Sequence, residues 1–191
     1  PIALPNAQHQ QYLMLRKQQQ QQQQQHPAGL SIVSHNATSA QTTENNTTRL
    51  SLYKQYLLAK LKTTAPTHIL LLQESKVRDH TAEEHQVADF DQHYDTLCTP
   101  YAHDTDGNII NHGHITLIHT SLNASVAGAY NCTTCQVITF QHQQQQHFLL
   151  NTYITHNNKP RDISNVINIV NNIYDNHPGA IVTTIGDLNL T

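Results

Sequence analysis

Two carboxylates in this sequence stand where a carboxylate is costly. Glu74 follows Leu70-Leu71-Leu72-Gln73, and Asp187 follows Ile181-Val182-Thr183-Thr184-Ile185 and a glycine. A charge at the end of a buried apolar run must find a partner. A bound Mg²⁺ is an effective one, because that ion takes oxygen ligands, usually one or two carboxylates, and keeps several waters. Gly186, just before Asp187, permits a close backbone approach or an unusual dihedral. A third apolar run, Leu30-Ser31-Ile32-Val33-Ser34, ends in His35-Asn36, and Asp187 is followed by Leu188-Asn189. In α/β proteins, functional groups gather where strands end and irregular backbone begins. Each polar end alone is an ordinary strand-to-turn boundary. Their joint occurrence points to a site.

The elements that must position these residues alternate along the chain. After the strand at 30–34, Leu50, Tyr53, Leu57 and Leu61 recur on one face of a helix that ends before Pro66. The run at 68–72 reads as a buried strand, and further strands are predicted at 114–119, 135–140 and 148–155. Ile163, Val166, Ile167, Val170 and Ile173 mark a second helix over 161–176, stopped by Pro178-Gly179. The last strand, 180–185, delivers Gly186-Asp187-Leu188-Asn189. Mixed strands with two long helices imply an α/β sandwich of sheets with helices outside. Two glutamine tracts interrupt the rhythm. Residues 1–27, with glutamine at every position 18–25, read as a disordered or frayed-helical leader to a domain over 28–191. The tract 143–146 lies between two apolar runs and reads as a hairpin tip expanded with glutamine.

Four segments carry a resemblance. LSIVSHNATSA (30–40), HILLLQESK (68–76), FLLNTYIT (148–155) and IVTTIGDLNLT (181–191) resemble successive landmarks of the endonuclease/exonuclease/phosphatase, or DNase I-like, superfamily. The closest likeness is to the endonuclease domains of non-LTR retrotransposons and to apurinic endonucleases. The resemblance implies a four-layer α/β sandwich of two packed mixed sheets with outer helices. It implies Glu74 as ligand of a catalytic Mg²⁺ or Mn²⁺, and Asn36 as the residue that orients the metal-binding carboxylate. By the same likeness Tyr153 contacts the scissile phosphate, Asp187 positions or deprotonates the attacking water, and Asn189 hydrogen-bonds the phosphate. The implied activity is metal-dependent phosphodiester hydrolysis, with DNA as substrate and a reverse-transcriptase domain downstream in the retrotransposon case. A small-molecule phosphodiesterase or phosphatase, and a degenerate, non-catalytic interaction domain, are the alternatives. Two departures stand out. His35 replaces the bulky residue usual before the first asparagine, a change of packing more than of chemistry. No segment matches the superfamily's closing aspartate and Ser-Asp-His. The fold is therefore expected to be incomplete at the C-terminus, and the 191 residues inactive alone.

Composition narrows the function classes. Only 37% of residues are hydrophobic, there is no Trp, and the 15 His accompany an excess of Gln, Asn and Thr. That excess reads as compositional drift, so the histidines are weak evidence for metal binding. A net charge of −3 argues against a broad basic surface, so any DNA contact would be local or brief. No apolar run is long enough to span a membrane, and the start Pro1-Ile2-Ala3-Leu4-Pro5 lacks the features of a signal peptide. The Asn-x-Ser/Thr triplets at Asn36, Asn46, Asn123 and Asn131 read as chance products. Three cysteines make no disulfide framework. An intracellular location is expected, and a nuclear one if the substrate is DNA. Cys132-x-x-Cys135 has no second pair and is set aside as a zinc or dithiol motif. Asp104-x-Asp106-Gly107-Asn108 reads as a tight turn rather than a calcium loop, since Ile115 stands where the loop's last glutamate would be. His112 and His114 read as surface residues, and Lys76 and Arg78 as either a phosphate-facing pair or a solvated loop.

Overall fold

The computed structural model describes residues 29–38, 43–44, 47–63, 67–76 and 87–189. The leader expected at 1–27, and Arg78, lie outside the described residues. In chain order the elements are β1 (Ile32–Asn36), β2 (Thr43–Glu44), β3 (Thr47–Thr48), α1 (Arg49–Leu61), β4 (Ile69–Gln73), β5 (Tyr94–His103), β6 (Ile109–His119), β7 (Ser125–Val126), β8 (Cys135–His142), β9 (Gln145–Tyr153), α2 (Lys159–Asn176) and β10 (Ile181–Asp187). One sheet runs β1-β4-β6-β5 and the other β10-β9-β8-β7, with β2 and β3 forming a small ribbon. β1 lies parallel to β4, and β10 parallel to β9; the other pairs are antiparallel.

The period-2 alternation of the strands builds the layers. All five residues of β4 are buried, as a run that is apolar on both faces requires. Leu70 and Leu72 pack with Leu50 and Leu57 of α1 and with Phe90, Tyr94, Ile115 and Leu117. Ile69 and Leu71 point the other way, into a cluster with Ile118, Ile138, Phe140 and Leu149 between the sheets. On the far side Val137, Phe148 and Leu150 meet Ile173 of α2, with Val166 and Val170 beside it. The order is helix, sheet, sheet, helix: a four-layer sandwich. Helix α1 starts where Thr48 accepts a hydrogen bond from the Ser51 amide through its side chain.

Three details depart from the sequence reading. β5 was not marked by any apolar run, and it contains Pro100. It is an edge strand, and Pro100 is skipped in its register with β6, which is where a sheet tolerates proline. The glutamine tract is not an expanded tip. Gln143 and Gln144 form a two-residue turn with φ of 52° and 64°, while Gln145 and Gln146 already pair with His142 and Gln141. On α2, Ile163 and Ile167 are exposed although the spacing assigns them to the apolar face; they flank an open hollow of about 360 Å³ that Thr152, Ile154, Val166, Val170 and Leu188 also line. The Asp104 turn is as read: its carboxylate accepts from the Asp106 and Asn108 amides and the Asn108 side chain.

Candidate active site

The five residues singled out in the sequence meet on one rim, where β1, β4, β9 and β10 end. Parallel pairing sets Asn36 level with Gln73, one residue before Glu74, and Asp187 level with Tyr153. The two sheets are then joined across the rim. Asn36 Nδ2 donates to Asp187 Oδ2 at 2.8 Å. The other oxygen, Oδ1, accepts from the Asn189 amide at 3.2 Å. With a donor on each oxygen, the plane of the Asp187 carboxylate is set. Asn36 is itself held, because its Oδ1 accepts from both the amide and the hydroxyl of Thr38. One of its two amide hydrogens goes to Asp187. Asn189 has φ of 44° and donates Nδ2 to the Ile154 carbonyl at 2.7 Å, which uses one of the two hydrogens of that amide.

Glu74 leaves β4 in the left-handed region, with φ of 51°, so the half-buried carboxylate turns out of the strand direction. Lys76 Nζ lies 3.3 Å from Glu74 Oε1, and the lysine side chain stays exposed to solvent. Tyr153 sits between the two acids. Burial raises its phenol pKa first; the negative charges of Glu74 and Asp187, and the contact of its hydroxyl with Glu74, add to this. Gly186 makes the arrangement possible. A Cβ there would run into the Thr152 carbonyl across the β9–β10 pair, so only glycine lets β10 lie close enough to deliver Asp187.

No family model and no curated protein matches this sequence. Solved structures match it over most of the chain. AP endonuclease LMAP from Leishmania major is 18% identical with a TM-score of 0.56, over 84% of this chain and 55% of that one. Truncated TDP2 from Caenorhabditis elegans is 20% identical, with a TM-score of 0.53 over 85% and 63%. The endonuclease domain of TRAS1, a telomere-specific non-LTR retrotransposon, is 10% identical, with a TM-score of 0.51 over 85% and 60%. The chain has the DNase I-like fold. It spans little more than half the length of these solved proteins.

Within the DNase I-like frame, the rim rests on a buried polar network that sequence reasoning missed. Gln73 Nε2 donates to Ser34 Oγ at 3.0 Å and to Asn151 Oδ1 at 2.6 Å. Asn151 Nδ2 in turn reaches the carbonyls of Leu72 and Ile115. Thr116 Oγ1 donates to Gln136, whose amide reaches the Leu97 carbonyl. Gln73, Asn151, Thr116 and Gln136 are wholly buried, and they stitch the facing sheets just below Glu74 and Tyr153. The signal was present as polar residues inside apolar strands, but the abundance of Gln and Asn elsewhere hid it.

His112 and His114 are not surface residues. The His112 ring packs on Tyr153 at a centroid distance of 4.9 Å. His114 is fully buried, its ring nitrogens without a well-formed hydrogen bond, and burial drives its pKa down to about 3. His35 is exposed and leans on Tyr53 of α1, a packing role as expected. Asp162, also missed, is buried in the first turn of α2 and accepts from the amide and hydroxyl of Thr155, which closes the loop leading out of β9.

The donor set facing the rim is oxygen, as a hard divalent cation requires. No group of three or more His, Cys, Asp or Glu suited to a metal occurs among the described residues. A single carboxylate, Glu74, with waters and a substrate phosphate completing the shell, is a pattern Mg²⁺ accepts. Among the described residues no helix is long and apolar enough to cross a membrane.

Proposed function

We propose that this domain hydrolyses phosphodiesters with a divalent metal, and that its substrate is DNA. The observation that carries this reading is the Asn36–Asp187 bond across the sheets, which places an oriented carboxylate beside Tyr153 and Glu74 on an open rim. Glu74 would hold Mg²⁺ or Mn²⁺, which when bound supplies charge neutralisation at the phosphoryl oxygens. Asp187, its plane fixed by Asn36 and by the Asn189 amide, orients a water and takes up its proton. Tyr153, whose hydroxyl meets Glu74, would turn its single O–H to a phosphate oxygen once Glu74 holds the metal. Asn189 has a second amide hydrogen to give to the phosphate. The likeness of the rim segments to apurinic and retrotransposon endonucleases supports DNA over a small phosphate ester. In the retrotransposon branch a reverse-transcriptase domain follows in the native chain.

Nicking of supercoiled plasmid and of abasic duplex, with inositol phosphates as a parallel substrate, tests the reading in the full-length native protein. Mg²⁺-dependent nicking that falls as salt rises, and that drops about 10²–10⁴-fold in Asp187→Asn, is the expected result. Turnover of the small phosphate alone would assign the domain to a small-molecule phosphatase. Turnover of nothing would make it a non-catalytic module. Residues 1–191 alone are expected to nick no better than the Asp187→Asn control, because no histidine here matches the superfamily's Ser-Asp-His.

A further inference from the structure

Cys132 and Cys135 face each other across a turn whose backbone is already closed. The Cys132 amide donates to the Cys135 carbonyl at 3.1 Å and the Cys135 amide to the Cys132 carbonyl at 3.4 Å, an antiparallel bridge outside the regular strands. Such a hydrogen-bonded pair holds its Cα atoms ~5.5 Å apart, inside the range a disulfide spans. The two Sγ atoms are 3.4 Å apart. Bond formation therefore needs side-chain rotation rather than movement of the chain. The sulfurs differ in access: Cys132 is half-buried and Cys135 fully buried. Cys132 also has Thr134 Oγ1 at 3.0 Å. Hydrogen bonding to Cys135 holds the Cys132 thiol below the ordinary range, while the same contact and burial push Cys135 up. Cys98, the third cysteine, is raised to about 12 by burial.

This pair is connected to the rim on both sides. Thr134, between the cysteines, accepts the Tyr153 amide on its carbonyl at 2.7 Å. The Cys132 carbonyl accepts from Asn111 Nδ2, and Asn111 Oδ1 accepts from the Gly113 amide. The Gly113 carbonyl then accepts from the Ser75 amide at 2.9 Å, next to Glu74. Gly113, at φ of 76°, leaves no room for a side chain against Ser75 and Lys76, so this path is tightly packed.

We propose that Cys132 and Cys135 form a reversible disulfide site, with a low-molecular-weight disulfide such as oxidised glutathione as electron acceptor, and that its state is transmitted to Tyr153. The thiolate of Cys132 attacks one sulfur of glutathione disulfide, breaking its S–S bond and releasing one glutathione, which takes up the proton Cys132 gave. Cys135 then loses its proton to solvent, attacks Cys132 Sγ, and expels the second glutathione, which is protonated in turn. Two electrons pass from the protein pair to one glutathione disulfide, giving two glutathiones. The chemistry does not depend on the phosphodiester reading.

The test equilibrates the 191-residue chain in oxidised and reduced glutathione buffers, traps thiols by alkylation under denaturing conditions, and reads the mass. Oxidised protein should carry one alkylated cysteine, mapped to Cys98, and reduced protein three. Cys135→Ala should accumulate a glutathione adduct on Cys132, and Cys132→Ala should accumulate none. Three alkylatable thiols in the oxidised buffer, or a disulfide that includes Cys98, would overturn the site even if a variant folds poorly. Hydrogen exchange of the Tyr153 amide should differ several-fold between the two forms of the wild type. Equal rates would overturn the transmission to the rim.

Discussion

Asn36 and Asp187 are 151 positions apart and meet in a hydrogen bond of 2.8 Å, and each was legible in the sequence as a polar residue after an apolar run and by the superfamily resemblance. What the sequence could not display was the direction of the bond. Asn36 serves the Asp187 carboxylate, because β1 and β10 end on facing sheets, while Glu74 turns away at a left-handed φ to meet Lys76 and Tyr153. His114 offers a residue-scale test of the buried polar layer. Its pKa falls from 6.5 to about 3 on folding, so the unfolded chain binds a proton at pH values where the folded chain does not. The sign follows: the neutral ring contributes stability that is fully present above pH 6.5 and is lost progressively as pH falls toward 3, at up to about 1.4 kcal/mol per pH unit. Urea unfolding at pH 6.5 and pH 5 should therefore show a loss reduced by roughly 2 kcal/mol in His114→Leu. Equal losses in the two proteins would mean that the ring takes up its proton in the folded state.

Elements were legible where apolar runs face a neighbouring layer, wholly buried in β4 and only half-buried in β10. β4, β8, β9 and β10 appear within a few residues of the predicted runs, since each must present apolar side chains to a neighbouring layer. β5 was not, because an edge strand with Thr99, Pro100 and His103 has no such obligation. The α2 face was over-read: periodicity marks Ile163 and Ile167 as equivalent to Val166 and Val170, yet the sheet beneath reaches only part of the helix. The β8–β9 hairpin was under-read, because a glutamine tract resembles a loose insert and not a tight turn. Two consecutive residues with positive φ define a type I′ turn, which glutamine adopts at a cost and Asn-Gly adopts readily. Replacing Gln143-Gln144 by Asn-Gly should raise stability by roughly 1 kcal/mol, seen as a higher urea midpoint with unchanged slope. Deleting two glutamines should instead lower it, because a two-residue turn can then re-form only by giving up one of the two outermost pairs, Gln141–Gln146 and His142–Gln145. A midpoint unmoved by either change would restore the loose-tip reading.

At the scale of the whole molecule, two half-sites are built separately and brought together by sheet packing. The first sheet supplies Asn36 and Glu74, the second Tyr153 and Asp187, and the buried Gln73–Asn151 bond fixes their relation just below. A net charge of −3 argues against a broad basic surface, so the proposed chemistry rests on this rim. The central claim is that Glu74 anchors a divalent ion there. Thermal unfolding of the 191-residue chain with and without Mg²⁺ or Mn²⁺ tests it without requiring turnover. A ligand that binds only the folded state at a hundredfold excess over its Kd adds about 2.7 kcal/mol, so the wild-type midpoint should rise by several degrees. Glu74→Gln should fold with an unshifted midpoint in the absence of metal and show no rise in its presence. A wild-type midpoint indifferent to metal, or a Glu74→Gln variant that responds as the wild type does, would contradict the account.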